Sequence, residues 1–162
     1  MKIKFWKGIL LLTVVLFLCG AVYAAISIIV SGSWTFSIGV GNLQGATGSD
    51  LVSSYESATN QISITVGGSG GAEWRMDVKK TITTWHANLY LYVKKTNLGT
   101  SGKGHVHNDG ETYQEVTDTN QSFFTGTGDR AGITVQEKLD GVSVAVPAAT
   151  YSATVVFTVV QL

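Results

Sequence analysis

His105, Val106 and His107 put two imidazoles two residues apart, with Asp109 and Glu111 just beyond. Residues two apart on a strand face one way, and imidazole with carboxylate suits zinc or a similar ion. The surrounding Gly102, Gly104, Asn108 and Gly110 instead describe a mobile polar loop, and no second ligand pair with recognisable spacing follows. No metal site is expected. Residues 67–71 (GGSGG) match the nucleophile elbow G-x-S-x-G, which works only on a sharp strand-to-helix turn. Strand-like runs lie on both sides here, so the segment reads as a flexible hairpin loop. Residues 99–104 contain Gly102-Lys103 but lack the Ser/Thr and the following helix of a phosphate loop. No Ser/His/Asp, Cys/His or paired-carboxylate constellation stands out, so neither enzyme activity nor a cofactor is expected.

Two further kinds of residue could bind rather than react. Tyr90 and Tyr92 share one face of a strand whose other face carries Leu89 and Leu91. They are either part of a central strand covered by loops or an exposed aromatic strip for a sugar or a neighbouring subunit. Trp34, Trp74 and Trp85 are expected in the core, where large rings bury the most area. Asn120, Gln121 and Ser122 form a glycosylation sequon whose use depends on the host.

The elements that must carry these residues are strands. Period-2 alternation marks half-buried strands, and it recurs through the chain. Trp74, Met76 and Val78 alternate with Glu73, Arg75, Asp77 and Lys79, giving one core face and one water face. Ile62, Ile64 and Val66 repeat the pattern, as do Leu89, Leu91 and Val93, then Ile133, Val135 and Leu139. Asp140-Gly141 followed by Val142, Val144 and Val146 predicts a hairpin, stopped by Pro147. A last strand carries Tyr151, Ala153, Val155, Phe157 and Val159. No amphipathic helix is found after Ala24. Many short strands punctuated by turns predict an antiparallel β-sandwich.

The start of the chain reads as an export leader. Lys2, Lys4 and Lys7 precede an apolar run, and Val22 and Ala24 set up a cut after Ala24, the three parts of a signal peptide. Residues 1–24 are therefore assigned to the leader and 25–162 to one β domain. Left uncut, residues 8–30 would be long enough to span a bilayer with the lysines inside; pilin-like processing after Gly8 is a further alternative. Cys19, the only cysteine, follows Leu18 rather than the small residue that lipid attachment requires. Without the leader, eight basic and eleven acidic side chains remain, a net charge near −3. That excludes a basic face for nucleic acid or for a membrane surface. A chain this long holds a core without disulfides.

Beyond the leader, Ile26, Ile28, Val30, Trp34, Phe36, Ile38 and Val40 keep one parity across Gly32. A straight strand of that span would run about 50 Å at roughly 3.3 Å per residue, far beyond the usual length. It must bend at Gly32, or its first part must leave its own domain. The end of the chain supplies the second clue: residues 141–147 (GVSVAVP) and 149–159 (ATYSATVVFTV) resemble the closing strands of secreted bacterial spore-coat-U-like and fimbrial subunits. The resemblance implies an immunoglobulin-like sandwich and a secreted or cell-surface subunit of a filament, pilus-like fibre or coat. Its partner would be a further copy of itself, joined by strand addition, with Ile26, Ile28 and Val30 as the donor strand. The alternative is a secreted carbohydrate-binding module using Tyr90 and Tyr92.

Overall fold

A computed structural model describes residues 25–100, 104–107 and 109–162. The leader, with Cys19 and the cut after Ala24, lies outside the described residues, as do Gly102, Lys103 and Asn108. Ten strands follow in order: β1 Ser27–Ser31, β2 Tyr55–Glu56, β3 Ile62–Gly67, β4 Glu73–Thr84, β5 Tyr90–Lys95, β6 His105–Val106, β7 Gln114–Glu115, β8 Gln121–Thr127, β9 Arg130–Asp140 and β10 Ser152–Gln161. They build two sheets with antiparallel pairing throughout. One runs β1-β3-β9-β5-β7, with β2 also on β9, and the other β10-β4-β8-β6. Among the described residues no helix is long and apolar enough to cross a membrane.

The alternation seen in the sequence decides which faces meet. Ile62, Ile64 and Val66 of β3, with Ile133 and Val135 of β9 and Val93 of β5, line the first sheet's inner face. Trp74, Met76 and Val78 of β4, with Phe123 and Phe124 of β8 and Phe157 of β10, line the second. Trp74 is fully buried, its indole donates to the Gly128 carbonyl at 2.8 Å, and its ring meets Phe124 edge-on at 6.1 Å. Gly126 makes room for it, because a Cβ there would lie 2.5 Å from the indole.

Several expectations are corrected. Asp140-Gly141 does not open a hairpin: residues 143–146 form a turn instead of a strand, with Val142 buried before it and Val144 67% exposed. The reason lies in β9, whose two sides are already taken by β5 and by β2 and β3, leaving no edge to pair with. Residues 67–71 do not close a hairpin either, since they carry the chain from β3 in one sheet to β4 in the other. The turn is also pinned: the Ser69 amide and hydroxyl donate to Asp129 Oδ1 at 2.8 and 2.6 Å. Trp34 and Trp85 are only half-buried. Trp34 stacks on Phe36 at 4.9 Å, and Trp85 donates to the Leu89 carbonyl at 2.8 Å. Asp77 keeps to the outer face with Arg75 as expected but is buried there, Arg75 Nε and Nη2 donating to its two carboxylate oxygens at 2.6 and 3.0 Å.

Candidate functional site

β1 is the outermost strand of its sheet and pairs in this single chain with β3, Ile28 opposite Val66 and Val30 opposite Ile64. Ile26 and Ile28 pack against the core between the sheets, whereas Ile29 is 68% exposed and Val30 42%. The strand is apolar with serine at both ends and carries no charge. Backbone bonds to β3 and the two isoleucines hold it, with a bond from the Ser27 hydroxyl to the Gly67 carbonyl at 3.2 Å. Gly32 then ends it with φ at +127°, where a Cβ would lie 2.2 Å from the Gln61 carbonyl oxygen. Only glycine suits both the conformation and the space. The chain turns away there, and the Gln61 amide holds the Ser33 carbonyl. Trp34 to Val40 keeps strand parity without forming a strand. Phe36 instead lies against the Tyr55 ring at 4.8 Å, and a single 3-10 turn, Val40–Asn42, follows.

The two tyrosines lie on the outer face of the same sheet in different settings. Tyr90 is 43% exposed. Tyr92 is half-buried under Lys138, whose ammonium sits 4.4 Å from its ring centre and 4.9 Å from that of Tyr113. Lys94 covers Tyr113 from 4.4 Å. This cation–π ladder occupies the face that an open aromatic strip would offer. Burial, then the charges of Glu115 and Asp140, raise the Tyr92 phenol; burial, with the charge of Glu56, pushes Tyr113 up to about 12. Tyr90 instead shares a shallow recess of about 280 Å³ with Trp85, Lys80 and Glu115, a grouping that separation in the sequence hid.

The histidine segment is not a loose loop. His105 and Val106 form β6, Val106 is fully buried opposite Gly126, and the two exposed histidine rings lie 5.2 Å apart. Asp109 is engaged elsewhere, its Oδ2 accepting from the Thr125 amide at 3.0 Å and hydroxyl at 2.9 Å. Among the described residues no three His, Cys, Asp or Glu side chains come together as a metal site would need. Ser69 of the elbow-like turn has a carboxylate partner, Asp129, whose pKa its hydroxyl and amide hold below the usual range. Asn120 is exposed in the turn before β8. What the geometry offers is therefore an edge rather than a cleft: an uncharged, lightly held outer strand beside a glycine hinge. Comparison with known protein families, curated proteins and solved structures returns no match for this chain.

Proposed function

We propose that this chain is an exported structural subunit, an immunoglobulin-like sandwich that assembles into a surface filament, fibre or coat by β-strand addition. The observation that carries the reading is β1, an uncharged outermost strand joined to the rest of the fold through Gly32. Its pairing with β3 in one chain defines a seat that the same segment of a neighbour fits in the same register. Ile26, Ile28 and Val30 are then the donated side chains, and the pairing within one chain is the closed form that exchange replaces. Backbone bonds supply the strength, and the isoleucines filling the core edge fix the register.

Electron microscopy of the concentrated protein, with an Ile28→Asp variant beside it, tests this. Filaments that vanish in the variant, together with binding of a peptide spanning residues 25–31 to a chain lacking them, are the expected results. A wild-type protein that stays monomeric at high concentration, unfolded by Ile28→Asp, would sink the proposal. The recess at Trp85 and Tyr90 favours the second reading, a carbohydrate-binding module, because it is large enough for one sugar ring and has aromatic and polar walls. Retention on polysaccharide by a monomeric protein, lost in Tyr90→Ala, distinguishes that case.

A further inference from the structure

The two flanks of the sandwich end differently. On one, the outermost strands β6 and β7 have two residues each; on the other, β1 has five and β10 has ten. At roughly 3.3 Å per residue β10 presents an edge of about 33 Å. Its ladder is to β4, and among the described residues its other side pairs with no strand. Exposed edges are ordinarily blunted by lysine, proline, bulges or shortness, because a free row of amides and carbonyls recruits another strand. Ser152–Gln161 (SATVVFTVVQ) has no charge and no proline, and its one register shift falls at the first step, between Ser152 and Ala153. Nothing in the strand opposes pairing.

We propose that β10 pairs antiparallel with β10 of a second copy across a two-fold axis, continuing two four-stranded sheets into one of eight strands. A second copy is the occupant because a two-fold antiparallel pair of this strand sets no charge against a like charge at any position, the strand being uncharged from Ser152 to Gln161. Of the two strands of its sheet longer than seven residues, β4 carries five charges and is paired on both sides, whereas β10 carries none and is paired on one. With Val156 on the axis the faces match. Val155 meets Phe157 and Ala153 meets Val159 on the core side, while the exposed Thr154 meets Thr158 on the outer side. Val155 and Val159, only partly buried against the core, gain the cover they lack in one chain. The pairing uses the other sheet from β1, although β1 lies beside β10 in one chain, and the dissociation constants below test it separately from donation.

Sedimentation equilibrium of the purified protein and two double variants tests the pairing. Both altered side chains are exposed, and thermal melts confirm that the folds persist. The wild type is expected to dimerise. Thr154→Lys with Thr158→Lys sets like charges together twice across the axis and raises the dissociation constant by about tenfold or more. Thr154→Glu with Thr158→Lys sets opposite charges together and restores the dimer. A wild type without dimers, or two variants with the same dissociation constant, overturns the proposal. Filaments that survive Thr154→Lys with Thr158→Lys but not Ile28→Asp show donation without disproving the pair, which the dissociation constants then decide separately.

Discussion

Two ionisable side chains point between the sheets. Lys95 lies opposite Val135 and Glu137 opposite Val93, on the face that carries the core. Lys95 is fully buried, gives its ammonium to the His107 carbonyl and passes 5.4 Å from the Phe124 ring. Burial lowers its pKa, although the charges of Asp109 and Glu111 pull the other way. Glu137 has no such relief: burial raises its pKa, and its Oε2 has no hydrogen-bond partner among the described residues. A carboxyl with a raised folded pKa contributes stability in full below its unfolded value, about 4.3, and loses it as pH rises through the folded value. At neutral pH the buried charge is therefore a burden. Glu137→Gln is expected to raise the melting temperature at pH 7 and to make little difference below about pH 4; equal gains at both pH values would refute this. The tryptophans sort by burial in the same way. Trp74→Ala should cost about 3–5 kcal/mol in denaturant unfolding, and Trp34→Ala or Trp85→Ala well under half of that.

At the scale of elements, Gly32 governs β1. Gly32→Ala puts a Cβ into the Gln61 carbonyl and forces an alanine to positive φ, worth about 1–3 kcal/mol against β1 docking. Hydrogen exchange should then quicken at Ser27–Ser31 while the amides of β4 keep their protection; uniform quickening would mean that β1 is not a separable unit. Most strands could be read from alternation, because β3, β4, β5, β9 and β10 each bury one face against one core. β8 could not. Met76 pairs with Phe124 and Asp77 with Ser122, so Phe123 is an extra residue in the ladder and both phenylalanines turn inward. A bulge of this kind erases the period by which a strand is recognised. The opposite error at 142–146 came from a sound local pattern lacking a free neighbour, which no local pattern can show. At the candidate site, the excessive length of the one-parity run across Gly32, and so the choice between a bend there and a donated first part, was visible in the sequence. The choice of β3 as partner and the grouping of Trp85 with Tyr90 were not, since each joins residues far apart in the chain.

At the scale of the whole molecule, the order of pairing sets when the structure can exist. β10 closes the second sheet by setting Gln161 opposite Trp74 and Ser152 opposite Thr84, so its partner is made long before it. β1 pairs across the intervening residues 32–62, and β3 must then wait for β9. Contacts between distant segments close large loops before they are rewarded, and sandwiches of this kind fold in milliseconds to seconds. Stopped-flow refolding slower than about a millisecond is expected; microsecond folding would contradict the wiring. During synthesis, the core face of Trp74, Met76 and Val78 would stay uncovered on its β10 side until β10 itself has been made. A chain so wired cannot close its second sheet before β10 has been made.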